Sequence, residues 1–439
     1  MPLRPLPSRV AFAARGIVVA IASITSQLTA PGVESFASKP LAPSKKSALT
    51  AALTDFFTAP SAKQENWMFP EQLEKLLREN EAAVRLAAWE AFRDAPIHEA
   101  IKQDYGSNQV RFDKHFSRYT VKTVGTKPTN GWALFIAMHG GGGGPKEMND
   151  SQWKVMQRYY KDHPEAGGYL YVALRAPNDT WNGFYDVYVY PLVANLINQF
   201  LLFGDVDPSK VFIMGYSHGG YGAFAIGPKM PDRFAAVHAS AAAPTDGETT
   251  ARTLRNTVFT YMVGEKDTMY GRIERCRKFN DAVTKLRGDC TNCYPVRMEE
   301  IAGNGHTGLP DRDKIKEMYP NTRHPVPTEL TWLMTDKVIQ DFYWLHSAHP
   351  TKKQEINAVC RDNQITITTS TNVSAASLLL DSRLIDFGKP VTVELNGKKS
   401  THKLQPSLGT LCRTLVRRGD PELAFTAELE LPLSTGQMP

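Results

Sequence analysis

The sequence predicts an α/β protein: a doubly wound, mostly parallel sheet, preceded by a helical segment and followed by a small all-β, sandwich-like region. Three observations lead there. Apolar runs near residues 118–125, 131–138, 168–174, 210–215, 235–241, 257–263 and 295–301 alternate with helix-compatible stretches, as strands joined by crossover helices do. The run Val211-Phe212-Ile213-Met214 passes through Gly215-Tyr216-Ser217-His218-Gly219-Gly220 into small residues that suit a helix, giving strand, sharp turn and helix in succession. From about Lys352 the pattern changes to alternation of period two.

The N-terminus has the features of a cleaved leader. Arg4, Arg9 and Arg15 precede the apolar stretch 16–24, which is too short for a membrane span, and small residues allow cleavage after Ala37 or Ala30. Residues 1–37 are therefore expected to be a signal peptide and the protein to be secreted or periplasmic. No later apolar stretch reaches about 18 residues, so no membrane partner is expected after cleavage. Residues 38–48, rich in Pro, Ser and Lys, read as a linker. Over 49–110, Leu73, Leu76, Leu77, Val84 and Ala88 recur at helical spacing, with Pro70 suited to a first turn. Trp67, Trp89 and Phe92 are expected in the core of that segment. The chain of 439 residues is 42% apolar and 22% charged with a net charge of +6, ordinary for a soluble globular protein. No basic stripe interleaves with aromatics, so no nucleic-acid partner is expected.

The catalytic domain is expected over 111–350. Glycines flanking Ser217 let a strand and a helix approach closely, exposing the hydroxyl on a strained turn. Upstream, the apolar run 134–138 empties into His139 and the glycines 140–144. Backbone without side chains can aim N–H groups at a developing oxyanion. Gly140, Gly141 and the N–H of His218 are the expected donors. A serine needs a base, and the base needs a carboxylate to hold its tautomer. Asp267 follows the strand 257–263 at its C-terminal edge, and His306 lies in the glycine-rich loop after 295–301. Glu265 and Asp246 are rival acids. Among other histidines, His218 should point away from the nucleophile, His139 should order the glycine loop and His238 should be a core residue; His324, His346 and His349 follow the last expected strand. The loop 175–185, carrying Trp181 and Tyr185, should overhang the site and suit a sugar, aryl or acyl group.

These residues resemble the α/β-hydrolase superfamily from about Arg118 to His346. The resemblance rests on His139-Gly140-Gly141, Gly215-Tyr216-Ser217-His218-Gly219-Gly220, Gly264-Glu265-Lys266-Asp267 and Gly305-His306. It looks most like bacterial secreted esterases (feruloyl or acetyl esterases, polyhydroxybutyrate depolymerases) and the catalytic domain of the prolyl oligopeptidase family. It implies Ser217 as nucleophile, Asp267 as orienting acid and His306 as base. The implied reaction is cleavage of carboxylic esters, carbohydrate-linked or polymeric esters among them, with no cofactor and no metal. The other readings are a peptidase acting on short peptides and a binding protein on an inactive hydrolase scaffold.

Residues 351–439 are expected to form the sandwich-like domain. Residues 364–368 and 391–395 alternate, and Asn396-Gly397 is a hairpin signal. Such a module could bind polysaccharide or shield the hydrolase. Of the five cysteines, Cys360 and Cys412 form a plausible pair, whereas Cys276, Cys290 and Cys293 cluster. Cys290-Thr291-Asn292-Cys293 lacks the second ligand pair of a zinc site and reads as redox or structural.

Overall fold

A computed structural model describes residues 41–370 and 372–433; the expected signal peptide, 1–37, lies outside them. Helices α1 (Pro43–Thr58), α2 (Ser61–Gln64), α3 (Glu71–Glu79), α4 (Glu81–Arg93) and α5 (Glu99–Gly106) open the described chain. Helix α1 begins inside the stretch expected to be a linker, because Pro43 sits at its start, where its ring costs no hydrogen bond.

Eight strands follow: β1 (Gln109–Phe112), β2 (His115–Val124), β3 (Trp132–Met138), β4 (Tyr169–Leu174), β5 (Val206–Tyr216), β6 (Ala236–Ser240), β7 (Val258–Gly264) and β8 (Val296–Ile301). They form one sheet in the order β1-β2-β4-β3-β5-β6-β7-β8. Strand β1 pairs antiparallel with β2, β2 antiparallel with β4, and the rest are parallel. Strand β1 was hidden at the end of the expected helical segment.

The sequence of β3 explains its central place. Leu134, Ile136 and Met138 face one core and Ala133, Phe135 and Ala137 the other. A strand buried on both faces must be apolar throughout. The intervening helices are α6 (Lys146–Met156), α7 (Val189–Phe203), α8 (His218–Lys229), α9 (Arg272–Arg287) and α10 (Lys314–Met318). Residues of α7, α8 and α9 join the first core; Met156 of α6 and Ile315 and Met318 of α10 join the second. The chain leaves β3 in one direction to β4 and returns to the other side as β5. That reversal opens a crevice at the carboxyl ends of β3 and β5, where a ligand can reach both.

The remaining strands are β9 (Glu329–Leu333), β10 (Asp341–Phe342), β11 (Leu345–His346), β12 (Glu355–Arg361), β13 (Gln364–Thr369), β14 (Ser377–Leu380), β15 (Val391–Leu395), β16 (Lys398–His402) and, after helix α11 (Leu408–Arg418), β17 (Ala427–Glu430). They form two sheets, β10-β11-β14-β17 and β16-β15-β13-β12-β9. Both sheets feed one core that includes Trp332, Trp344, Ile365, Leu378 and Val393. The Asn396-Gly397 turn adopts the positive φ values, 48° and 82°, that suit a tight hairpin. These sheets begin at Glu329, ahead of the boundary expected at 350/351, because β9 pairs with β12 along its length. Helix α11 was not expected. Its Leu408, Leu411 and Leu415 pack with Leu49, Phe57, Leu77 and Val84 of the N-terminal helices, so segments more than 300 residues apart in sequence share a core.

A buried ion network joins the C-terminal region to the first sheet. Arg323 donates two hydrogen bonds to the Asp420 carboxylate, at 2.7 and 3.0 Å, and Arg233, just ahead of β6, donates a third at 3.2 Å. Arg418 pairs with Asp232, which also accepts the Tyr343 N–H at 2.9 Å.

The cysteine pairing differs from expectation. Cys290 and Cys293 are disulfide-bonded in the loop from α9 to β8. Cys360 and Cys412 are free and buried: the first lies in the core between the β-sheets and the second in the helical core, so they cannot meet. Cys276 is also free.

Candidate active site

Ser217 follows β5 directly and sits at φ 54°, ψ −112°, a strained conformation for a residue with a side chain. Two glycines make it possible. A Cβ at Gly215 would lie 2.2 Å from the Gly219 carbonyl oxygen, and one at Gly219 would lie 2.2 Å from that of Met138. Strand β5, helix α8 and strand β3 therefore close to backbone contact only because both positions lack a side chain. The Ser217 N–H donates to the Ser240 carbonyl at 2.8 Å, fixing the turn against β6.

The loops after β7 and β8 bring the other two expected residues to the serine. Ser217 Oγ lies 3.0 Å from His306 Nε2. His306 Nδ1 donates to Asp267 Oδ2 at 2.8 Å, since a carboxylate can only accept. Asp267 is almost fully buried and His306 partly exposed. The rival acids lie elsewhere. Glu265 accepts the Gly303 N–H at 2.7 Å, and Asp246 points into solvent beside Arg275.

Three supporting residues were missed by sequence reasoning. Arg272 is buried and donates to Asp267 Oδ1 at 2.8 Å, so each carboxylate oxygen has its own partner. Tyr216 donates its hydroxyl to the His306 carbonyl at 2.6 Å, anchoring the histidine loop. Asn149 accepts the Gly142 N–H at 2.7 Å and donates to the carbonyls of Gly144 and Pro145, each at 3.3 Å, which shapes the glycine run. Nothing in one-dimensional spacing marks these residues; their partners are remote in sequence or part of a loop whose path the sequence leaves open.

Two of the expected oxyanion donors adjoin the serine: His218 follows it in the chain and Gly140 packs against it. Gly140 lies beside Ser217, whose Cβ would be 3.6 Å from a Cβ at Gly140. Among the described residues no acceptor pairs with the N–H of Gly140, Gly141 or His218, whereas that of Gly142 is taken by Asn149. His139 orders the loop as expected: Nδ1 donates to the Gly140 carbonyl at 2.6 Å and Nε2 accepts the Ala176 N–H at 3.0 Å. The His218 ring points away from Ser217 and packs against Phe184 and Trp181. His238 is a core residue satisfied by Thr260 and Ser240. Of the expected substrate contacts, Trp181 lies over His218. Tyr185 lines a cavity of about 440 Å³ with Asp186, Tyr190 and Glu248.

Burial holds three of these histidines neutral. It lowers His139 to about 4 and His218 to about 3, and pushes His238 well below the usual value. A histidine whose folded value is depressed stabilises the fold above its unfolded value, about 6.5, and loses that contribution as pH falls toward the folded value, because only the unfolded chain takes up the proton. Stability is therefore expected to drop by about 1 kcal/mol per buried histidine between pH 7 and 5.5, about 3 kcal/mol for the three. Urea titrations at the two pH values measure it; equal midpoints would contradict the burial argument.

The strand order, the elbow at the end of β5 and the loops after β7 and β8 define an α/β-hydrolase fold. No protein-family model matches the sequence, and no curated protein matches it. Among solved structures, the chain is similar to a thermostable esterase at 18% identity and TM-score 0.37, covering 49% of this chain and 64% of that one. It is similar to a poly(3-hydroxybutyrate) depolymerase from Bordetella parapertussis at 17% identity and TM-score 0.34, covering 51% and 92%. It is also similar to an acetyl xylan esterase from Aspergillus awamori at 14% identity and TM-score 0.34, covering 46% and 94%. The chain thus spans less than two thirds of the thermostable esterase.

No described helix is long and apolar enough to cross a membrane.

Proposed function

We propose that this protein is a serine hydrolase that cleaves carboxylic esters through an acyl-enzyme. One observation carries the reading: the continuous chain Ser217 Oγ, His306, Asp267, with links of 3.0 and 2.8 Å. In this reading His306 takes the Ser217 proton as Oγ attacks the ester carbonyl. Asp267 holds the tautomer and stabilises the imidazolium, and Arg272 keeps Asp267 oriented through its hydrogen bond to Oδ1. The N–H groups of His218 and of Gly140 or Gly141 receive the oxyanion, each worth about 3 kcal/mol in such sites. His306 then returns the proton to the departing alcohol. A water molecule, deprotonated by the same histidine, releases the acid and restores the serine. No step calls for a metal or cofactor. Export from the cytoplasm, suggested by the leader-like residues 1–37, belongs to the same proposal.

The test is a panel of p-nitrophenyl esters, acetylated sugars and aminoacyl p-nitroanilides, run beside labelling with a fluorophosphonate. Ester turnover is expected to exceed amide turnover, with label on Ser217. Label-free protein, or faster amide than ester cleavage, would refute the ester reading; the first would return the chain to a binding role and the second to a peptidase.

A further inference from the structure

The loop from β8 to α10, residues 302–313, carries His306 and contains a buried acid that the proposed reaction does not use. Asp311 is 0% exposed. Its Oδ1 accepts the Tyr159 hydroxyl at 2.6 Å, while Oδ2 makes no well-aligned hydrogen bond among the described residues. Burial raises the carboxyl; the Ser240 and Tyr159 hydroxyls and, further down, Lys314 act against that. The Tyr160 and Tyr216 hydroxyls also feel its charge. A carboxyl taken out of water for one full hydrogen bond is costly, so its place in the fold calls for a reason.

Asp311 stands between the supports of both reacting side chains. On one side, the Tyr159 ring packs on that of Tyr216 with centroids 5.4 Å apart, and Tyr216 donates its hydroxyl to the His306 carbonyl at 2.6 Å. Backbone ties reinforce this side: Arg312 Nε donates to the Tyr159 carbonyl at 2.7 Å, and the Lys161 N–H donates to the Arg312 carbonyl at 2.9 Å. The segment after α6 and the end of the histidine loop are thus locked together. On the other side lies Ser240, whose carbonyl accepts the Ser217 N–H at 2.8 Å and whose hydroxyl meets His238 Nε2 at 2.8 Å. We infer that Asp311 is a positioning residue, holding His306 at working distance from Ser217 through Tyr159 and Tyr216. This rests on the serine-hydrolase reading.

The experiment measures kcat and KM on p-nitrophenyl acetate, and the rate of fluorophosphonate labelling, for Asp311→Ala, Asp311→Asn, Tyr159→Phe, Tyr216→Phe and the double variant Asp311→Ala with Tyr216→Phe. His306 acts in both acylation and deacylation, so misplacing it lowers kcat whichever step is slower. Asp311→Ala is expected to lose roughly 10- to 100-fold in kcat and in labelling rate, with KM within about twofold. Asparagine keeps the acceptor for Tyr159 and should return kcat to within about threefold of wild type. The double variant should be at most about threefold worse than the worse single one, because both changes strike the same support. Should the alanine variant fail to fold by circular dichroism, Tyr159→Phe carries the test, with an expected kcat loss of roughly tenfold. A folded Asp311→Ala or Tyr159→Phe protein with wild-type kcat would overturn the assignment, since a merely structural acid lowers the melting temperature alone. Asparagine no better than alanine, or fully additive losses in the double variant, would overturn it too. Wild-type protein that neither turns over the ester nor takes the label would instead remove the serine-hydrolase reading itself.

Discussion

Ser217→Ala is expected to reduce ester turnover roughly 10⁴- to 10⁶-fold while leaving the fold intact. The side chain is small and its oxygen makes one hydrogen bond, to His306. The turn that carries it is held by backbone: Ser217 N–H to the Ser240 carbonyl at 2.8 Å, and Gly219 N–H to that of His139 at 2.9 Å. Alanine keeps those bonds and removes only the nucleophile. Residual activity should come from the remaining oxyanion donors and from substrate positioning, and so should be far below wild type without reaching zero. The measurement is kcat and KM on one activated ester, with circular dichroism and a melting curve as controls. A loss in kcat with KM little changed locates the effect in the chemical step. A folded variant within tenfold of wild type would remove Ser217 from the mechanism.

Asp420→Ala should cost about 3–5 kcal/mol, the largest stability effect expected of a single substitution away from the apolar cores. Burial alone would raise the Asp420 carboxyl. The guanidinium of Arg323, followed by Arg233 and Arg418, overturns that and holds it at about 2. Removing the carboxylate leaves Arg233 and Arg323 buried without their shared counter-charge, because both bind its oxygens. The same network joins α11 and the C-terminal sheets to Arg233 and Asp232 beside β6, so the loss should weaken the whole assembly. The comparison is Glu300→Gln, which breaks the exposed pair with Arg277 and should cost under about 1 kcal/mol. Urea midpoints measure both. A cost below about 1 kcal/mol for Asp420→Ala would mean that water reaches the arginines.

The central sheet and the elbow are readable in the amino-acid order alone. Strand β3 is legible because burial on both faces forces an unbroken apolar run, and the turn at Ser217 because backbone contact forces glycine at Gly215 and Gly219. Asp267 and His306 are legible as polar residues at the carboxyl edges of two such strands, which is where the scaffold concentrates chemistry. Each signal is local, fixed by neighbours along the chain. Other features arise from contacts made on folding. Arg272 is one more charged residue in a helix until folding brings it against Asp267. Tyr270 looks like any loop residue until it meets Trp181 from another loop. Helix α11 leaves the all-β pattern because its partners, α1, α3 and α4, lie at the other end of the chain. Cys360 and Cys412 looked able to pair because sequence spacing carries no information about which core each joins. Local sterics write themselves into sequence as glycine placement and hydrophobic period; contacts between distant segments leave no period, so their identity emerges only when the chain is closed.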